Sequence, residues 1–382
     1  MPSQPNWLDY NLFQQIYCLS MSANIVSGHE GSEETLQNVL QQSLNRVLPK
    51  LPGKWTISWG PKVFKEQNKD SPKGGPDNVW FAAADESKNV CVAIAGTAPH
   101  SWADMGQNLG VNKVVDFDAW VRQWSSDNIP KPQPCNPNEN DGSTVAYCAK
   151  GTCIGAWNIL HNPGTAALSN CSTDAAKVMR IDEYLSRLDA SHTVVFTGHS
   201  LGGVLAPVVA LGLRKANRIN VHDVKVLASA GVSPGNDKLA RDFAETFPSP
   251  QELVGTYKVY NTDYYNEFDI VPQAWSISPA DDRNLYNILN RILQFSDKLK
   301  PWAELLSNIA MGLSRASRIR YVPLPGQGFT GQAPSGPIQS WDDLRRIVGE
   351  QHSLAYWNTI GITDFMRLFE RTFCLLEGAE AE

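Results

Sequence analysis

The stretch Thr193-Val-Val-Phe-Thr-Gly-His-Ser-Leu-Gly-Gly203 joins an apolar, β-branched run to the motif G-x-S-x-G. The residues that follow, 204–211, are almost all apolar and predict a buried helix. Strand, sharp turn and helix in this order form a nucleophile elbow, whose strained turn would project the Ser200 hydroxyl clear of the sheet. Gly198 and Gly202 would let strand and helix approach closely. The stretch predicts a nucleophilic serine, and the alternative is a Gly-rich turn without chemistry.

Composition indicates a folded protein with a sizeable core. The chain has 382 residues, of which 42% are hydrophobic and 12 are tryptophan. Its net charge of −6 is mild and dispersed, without a basic run, so we do not expect nucleic acid as a partner. No uncharged apolar run reaches the roughly 18–20 residues of a transmembrane helix, so we expect no membrane-spanning segment.

The N-terminal residues lack the basic start and apolar core of a signal peptide. We therefore expect a cytoplasmic location or secretion by a signal-independent route, with prior removal of a signal sequence as a third alternative.

The seven cysteines fall into two groups. Three have apolar neighbours and are expected to be reduced core residues: Cys18, Cys91 and Cys374. Four crowd one region: Cys135, Cys148, Cys153 and Cys171. Their spacing contains neither C-x-x-C nor a histidine set, so we expect no zinc site, and a local disulfide stays open. Cys153 also lies in a G-x-C-x-G segment, but the residues before it make a poor buried strand, so Ser200 is the preferred nucleophile.

Strands alternating with helices predict a mainly parallel sheet covered on both faces. We expect one domain over residues 1–382, with two helices and the first strand in residues 1–75. Among the later elements we predict a helix at Thr173–Leu188 and strands at Thr256–Asn261 and Arg318–Val322. Residues 281–315 are amphipathic and divided by Pro301. They predict a packed helical insertion, or alternatively a cap over the active site or a lipid-contacting surface.

The partners of the serine can be narrowed by elimination. In the order serine, acid, histidine, only His222 and His352 follow the elbow, and His222 precedes every good acid loop. His352, which we place in a loop, is therefore the expected general base. The acid should follow a strand end, and the candidates are Asp263, Glu267 and Asp269. We favour Asp269, because Ile-Val-Pro after it would fix the carboxylate, and Asp263 is the main alternative.

An oxyanion hole needs two N–H groups that point at the tetrahedral oxygen. Leu201 would supply one from the start of the helix after the elbow. The apolar strand over residues 90–95 runs into Gly96 and Thr97, and Thr97 would supply the other.

These segments together resemble the class 3, fungal-type lipases of the α/β-hydrolase superfamily. The resemblance rests on Ala95-Gly-Thr97, the elbow, Ser233-Pro-Gly-Asn236, Asp269-Ile-Val-Pro272, and His352 with Tyr356. It implies an α/β-hydrolase fold and a triad of Ser200, Asp269 and His352, with Thr97 and Leu201 as oxyanion donors. It also implies a mobile lid at His100–Leu109. Ala95 replaces an arginine that is usual in the family.

The predicted function is a serine carboxylic-ester hydrolase, most simply a triacylglycerol lipase, that needs no metal or organic cofactor. Phospholipase A and short-chain or aromatic-acyl esterase are alternatives that would use the same residues. A lipase-like binding module is the non-enzymatic alternative. The expected partner is a lipid or other ester substrate, with transient contact to a lipid interface.

Overall fold

The computed structural model describes residues 6–96, 110–138, 144–167, 177–250, 260–292, 299–333 and 338–369. The strands in these ranges are β1 (Thr56–Phe64), β2 (Asn78–Ala84), β3 (Asn89–Ile94), β4 (Val114–Asp116), β5 (Tyr147–Ala149), β6 (Gly164–Ala166), β7 (Lys177–Met179), β8 (Thr193–His199), β9 (Asp223–Ser229), β10 (Thr262–Asn266) and β11 (Gly326–Phe329).

The α-helices in the same ranges are α1 (Leu12–Ser22), α2 (Glu33–Val47), α3 (Phe117–Val121), α4 (Lys150–His161), α5 (Ile181–Leu185), α6 (Leu201–Lys215), α7 (Asp237–Thr246), α8 (Leu285–Asn287), α9 (Lys300–Ala316), α10 (Trp341–Gly349) and α11 (Ala355–Ile360). Short 3-10 helices span Asn6–Asp9 and Leu48–Lys50, and π-helical turns span Ile288–Ile292 and Glu350–Leu354. Residues 363–369 are helical as well.

Nine strands form one sheet in the order β11-β10-β9-β8-β3-β2-β1-β6-β7. Strands β3, β8, β9, β10 and β11 are parallel to their neighbours within this group. The remaining strands extend the sheet in antiparallel fashion. Because β8 lies between β3 and β9, the elbow is at the carboxyl edge of the parallel half, where open α/β sheets place their sites.

Helices cover both faces of the sheet, as predicted. In β8, Val194 and Phe196 face the core under α4, α6 and α7. Val195, between them, faces the core under α1 and α2. This alternation follows from the two-residue period of a strand, and it explains why the central strands are apolar on both faces.

The N-terminal helix α1 lies close to the site. It begins with a capping box formed by Asn11 and Gln14 and packs against β3 and β8. The residues that follow α1 therefore reach the carboxyl ends of these two strands, where Asn24 accepts a hydrogen bond from the amide of Gly96.

Two predicted elements differ from the structure. The helix at Thr173–Leu188 is wrong in its described part, because residues 177–179 form the edge strand β7 and of residues 177–188 only Ile181–Leu185 are helical. Most of the strand predicted at Thr256–Asn261 lies outside the described residues, and the next strand, β10, spans Thr262–Asn266. Residues 318–322 do not form a strand, apart from a single bridge between Val322 and Gly235. The last strand is instead β11, at Gly326–Phe329.

The amphipathic segment 281–315 is helical over the residues described, with α8, a π-helical turn and α9. Pro301 lies in the first turn of α9, as predicted, where a missing N–H costs no intrahelical bond. None of the helices in the described ranges combines the length and apolar character of a bilayer-spanning helix.

The cysteines of the described residues carry free thiols. Cys18 and Cys91 are buried, as predicted, and Cys135, Cys148 and Cys153 are also free. Cys171 and Cys374 lie outside the described residues.

Candidate active site

The elbow has the backbone that its sequence predicts. Strand β8 ends at His199, α6 begins at Leu201, and Ser200 between them has φ 61° and ψ −124°. A non-glycine residue with positive φ is strained, and such strain is typical of functional positions. A Cβ on Gly198 would collide with the backbone of Gly202. The close approach of strand and helix thus requires glycine there.

His352 contacts Asp269 and neither of the other two acid candidates. The Nδ1 of His352 lies 2.7 Å from Oδ2 of Asp269, a distance typical of a charge-assisted hydrogen bond. Asp269 is buried, and its Oδ1 accepts the amide of Val271. His352 is in the π-helical turn Glu350–Leu354 and not in a loop, so that part of our prediction is wrong. The turn continues α10 into α11, which gives the base a helical support.

Tyr356 completes the surroundings of the carboxylate. Its hydroxyl donates to Oδ2 of Asp269 over 2.8 Å and accepts the amide of Asn266 over 2.9 Å. Tyr356 lies one helical turn after His352, so one short helical segment carries both side chains that donate to Oδ2 of Asp269. Tyr356 is a residue that we quoted only as part of the resemblance and did not assign to the site.

Asp263 has a different partner. It forms a buried ion pair with Arg283 and accepts the amide of Gly231 over 3.1 Å. Burial raises the pKa of Asp263 to about 7, although the Arg283 charge acts in the opposite direction. Glu267 faces Arg291 at 3.7 Å. The structure therefore brings Asp269 to His352 and leaves Asp263 in a structural ion pair.

His199, inside the elbow, holds the backbone of His352. Its Nε2 lies 2.7 Å from the carbonyl oxygen of His352, and its Nδ1 lies 2.9 Å from Oγ of Ser229. Since a carbonyl only accepts, Nε2 carries the proton and Nδ1 accepts from the Ser229 hydroxyl. Burial, and then the proximity of His352, hold the pKa of His199 well below its ordinary value. We did not foresee this role, because His199 is adjacent to the nucleophile in sequence but 153 residues from its partner.

The oxyanion side of the site is anchored by the residues after α1. The amide of Gly96 donates to Oδ1 of Asn24 over 2.7 Å, and the carbonyl of Gly96 accepts from Oγ of Ser27 over 3.0 Å. A Cβ on Gly96 would lie 2.9 Å from the Cβ of Ser200, so only glycine fits. Thr97 and the predicted lid, His100–Leu109, lie outside the described residues. Leu201 is the first residue of α6, and its amide is one of the first-turn N–H groups that have no intrahelical acceptor.

Ser200 and His352 line the same cavity, which has a volume of about 370 Å³. Its other walls come from both ends of the described chain: Met21, Asn24, Ile25, Ser27 and Gly28, and Ser353, Trp357, Met366 and Phe369, together with Gly96 and His199. Five of the lining side chains are large and apolar, which suits the hydrocarbon part of an ester: Met21, Ile25, Trp357, Met366 and Phe369.

Cys153, the competing nucleophile, is buried within α4 and not at a turn. Burial raises the pKa of its thiol well above the ordinary value, so it is not a reactive thiolate. Among the described residues, no group of three or more histidine, cysteine or acidic side chains could hold a metal ion.

Comparison with known proteins gives a match to one protein family. Residues 122–278, which include Ser200 and Asp269, match the sequence model of the class 3 lipases. The protein is a carboxylic ester hydrolase. No curated protein sequence matches the chain.

Several solved lipase structures are similar to this chain. The M37 lipase is 18% identical, with a TM-score of 0.64 over 93% of this chain and 95% of its own. Two others are the LIP2 lipase of Yarrowia lipolytica (18% identity, 69% and 74% coverage, TM-score 0.42) and the mono- and diacylglycerol lipase of Aspergillus oryzae (16% identity, 71% and 82% coverage, TM-score 0.37). The likeness to the M37 lipase confirms the α/β-hydrolase fold.

Proposed function

We propose that this ester hydrolase acts on lipid esters, triacylglycerols first among them, through a triad of Ser200, His352 and Asp269. The observation that carries the proposal is the hydrogen bond of 2.7 Å between His352 Nδ1 and the buried Asp269, beside a cavity that His352 shares with Ser200. The bond orients the imidazole with Nε2 free to accept a proton.

The reaction would proceed in two halves. His352 takes the proton of the Ser200 hydroxyl as its oxygen attacks the acyl carbonyl, and Asp269 stabilises the imidazolium that forms. The oxyanion would rest on the amides of Leu201 and Thr97. His352 then gives its proton to the leaving alcohol, and a water molecule, activated by the same base, releases the acyl group from Ser200.

The proposed substrate preference rests on the five large apolar side chains that line the cavity at Ser200. A triacylglycerol lipase should maintain its rate as the acyl chain lengthens and should gain rate on emulsified substrate. A short-chain esterase would lose rate with chain length, and a phospholipase A would prefer phospholipid vesicles. Contact with a lipid interface belongs to the same proposal.

The first prediction concerns the triad. Ser200→Ala should abolish turnover, and Asp269→Asn should lower kcat by roughly 10⁴-fold, because the wrong imidazole tautomer would be held. Glu267→Gln is the matched control, since Glu267 is two residues from Asp269 and pairs with Arg291 at 3.7 Å instead of His352. The measurement is an acyl-chain-length series of esters with all four proteins. Full activity of Ser200→Ala, or equal losses for the two acid variants, would contradict the mechanism.

A further inference from the structure

Asn266 is fully buried at the end of β10, three residues before Asp269, and its side-chain amide bonds three separate segments of the chain. Its Oδ1 accepts the amides of Phe268 over 3.1 Å and Gly331 over 2.9 Å. Its Nδ2 donates to the backbone carbonyl of Gln351 over 3.0 Å and to Oε1 of Gln351 over 2.7 Å. A carboxamide offers two donors and two acceptor positions, so the side chain of Asn266 uses all four.

The oxygen end of this amide shapes the turn that carries the acid. The backbone carbonyl of Asn266 accepts the amide of Asp269 over 3.0 Å, and Oδ1 accepts the amide of Phe268, two residues on. Asparagine is favoured at the start of such a turn because its short side chain can bond the backbone in this way. The backbone amide of Asn266 also donates to the hydroxyl of Tyr356, which itself donates to Asp269.

The nitrogen end holds the turn that carries the base. Gln351 directly precedes His352 in the π-helical turn Glu350–Leu354, and such turns are rare and frequent at functional sites. The side chain of Gln351 is buried, and its Nε2 donates to the carbonyl of Gln332 over 2.7 Å. Both acceptors that Asn266 reaches therefore belong to the residue beside the base.

Gly331 leaves no free space between these groups. A Cβ on Gly331 would lie 2.7 Å from Oε1 of Gln351 and 2.8 Å from Nδ2 of Asn266. Any side chain at position 331 would displace one of the two amides. The end of β10, the residues after β11 and the π-helical turn are thus in direct contact at this point.

We propose that Asn266 is a positioning residue of the triad, which fixes Asp269 and His352 relative to each other by joining the turn of the acid to the turn of the base. It acts through Gln351 and through the backbone of residues 266–269, and it takes no part in proton transfer. Hydrogen bonds weaken steeply when they lose alignment, so the contact between acid and base depends on this joint. The proposal rests on the proposed function, since it takes these two residues as the acid and the base.

Two substitutions test the joint. Asn266→Ser leaves a hydroxyl that can still accept the amide of Phe268, as serine does in similar turns, but is too short to reach Gln351. Since a misplacement of about 1 Å can cost roughly 100-fold, kcat on a soluble ester should fall by about 10- to 100-fold with little change in KM. Gln351→Met removes the amide from the other side and should lower kcat in the same way.

The decisive measurement repeats Asn266→Ser in the Asp269→Asn background. If Asn266 acts through the contact of Asp269 with His352, its substitution should cost less than about threefold there, because residues that act as a unit are not additive. A residue that supports only the fold would cost the same factor in both backgrounds. The double change of Asn266→Ser with Gln351→Met should likewise lose little more than the more affected single variant.

Asn261→Gly is the matched control. Asn261 is also buried and accepts the amide of Val226 over 2.9 Å and donates to the carbonyl of Pro248 over 3.0 Å. It lies just before β10, at the end of the strand opposite to Asn266. Glycine is the replacement because Asn261 has φ 65°. Urea unfolding should show a loss of stability in this variant, whereas its kcat should equal that of wild type.

Two results would overturn the proposal. In one, Asn266→Ser lowers the free energy of unfolding and leaves kcat unchanged. In the other, it lowers kcat by the same factor with Asp269 and with Asp269→Asn. If Asn266→Ser does not fold, Gly331→Ala gives the same test, since it removes no polar group and displaces the joined amides. A failure of the proposed function would appear separately, as turnover that survives Ser200→Ala.

Discussion

At the scale of single residues, the distribution of hydrogen bonds on Asp269 explains how its carboxylate is fixed. Oδ2 accepts from His352 and Tyr356, and Oδ1 accepts the amide of Val271. Three donors on one buried carboxylate leave it one orientation and stabilise its charge. The imidazole is fixed at its Nδ1 by Asp269 and through its backbone carbonyl by His199. We infer that the base is positioned before substrate arrives.

A second prediction concerns Ser27, which holds Gly96 beside the nucleophile. Its hydroxyl donates to the Gly96 carbonyl, and both residues line the cavity of Ser200, so this bond fixes the backbone at the strand end where we expect an oxyanion donor. Ser27→Ala should lower kcat by about tenfold with little change in KM, a fraction of the loss for removing an oxyanion donor.

Ser27→Thr is the conservative comparison, because it keeps the hydroxyl and should restore most of the rate. Steady-state kinetics on a soluble ester give kcat and KM separately. A rise in KM at constant kcat would show that Ser27 contributes only to the wall of the cavity, and equal losses for Ala and Thr would show a packing defect.

At the scale of elements, the junction of β10, β11 and α8 depends on one buried cation. Arg283 is 1% exposed, pairs with Asp263, donates to the carbonyl of Leu324 and lies 4.5 Å from the ring of Tyr265. Its side chain thus ties the strand that leads to Asp269 to the predicted helical insertion.

The third prediction is that Arg283→Met lowers the free energy of unfolding by about 3–5 kcal/mol near neutral pH and above, because Asp263 would stay buried without a partner. The pKa of Asp263 is raised to about 7, so in acid the carboxyl is neutral and the loss should shrink. Urea unfolding at about pH 8 and about pH 5 measures the loss in the free energy of unfolding at each pH.

The control for this change is Arg320→Met. Arg320 pairs with Asp281 close to the same junction but is 56% exposed, so its loss should cost no more than about 1 kcal/mol. The double change of Arg283→Met with Asp263→Asn should recover part of the stability. Equal costs at the two pH values would contradict the assignment of the loss to an unpaired carboxylate.

The same junction shows where sequence patterns stop being informative. The elbow and the apolar β3 are local patterns, and the structure has both. Strand β10 is not apolar: Asp263 and Asn266 are buried within it, and their partners, Arg283 and Gln351, are 20 and 85 residues away. Strand β11 is Gly-rich because Gly328 makes room for Tyr265. A local window therefore predicts a loop where long-range contacts make strands.

The site also contains residues that the sequence predicts and residues that it does not. Chain order and residue type select Ser200 and His352 but leave three candidates for the acid, among which the family resemblance favours Asp269. The structure places Asp269 and His352 in contact. Asn24 and Ser27 could not be predicted, because they lie 72 and 69 residues from Gly96. They belong to the turn after α1, and no local sequence motif marks them as part of the site. Supporting residues of this kind become visible only when the sheet has brought α1 to the elbow.

At the scale of the whole molecule, His199 is the point at which distant parts of the chain meet. Its Nδ1 lies 3.4 Å from the hydroxyl of Tyr17 in α1 and 2.9 Å from Ser229 at the end of β9. Its Nε2 bonds the carbonyl of His352, and its ring packs against the edge of Tyr356, with centroids 5.0 Å apart. A positive charge on His199 would therefore disturb its contacts with α1, with the end of β9 and with the segment that carries His352 and Tyr356.

The last prediction follows from the depressed pKa of His199. In the unfolded chain the imidazole takes a proton below about pH 6.5, whereas the folded protein resists it, so the unfolded state binds more protons in acid. The contribution of His199 to stability is therefore complete above about pH 6.5 and is lost as the pH falls, by up to about 1.4 kcal/mol per pH unit.

His199→Gln keeps an N–H donor and does not titrate. The stability of wild type relative to His199→Gln should thus fall between about pH 7 and pH 5, and taking the difference cancels groups such as Asp263 that titrate in both proteins. Urea unfolding across this range measures it, with exposed His161→Gln for comparison. A difference that stays constant with pH would show that the buried imidazole accepts its proton as readily in the folded protein as in the unfolded chain.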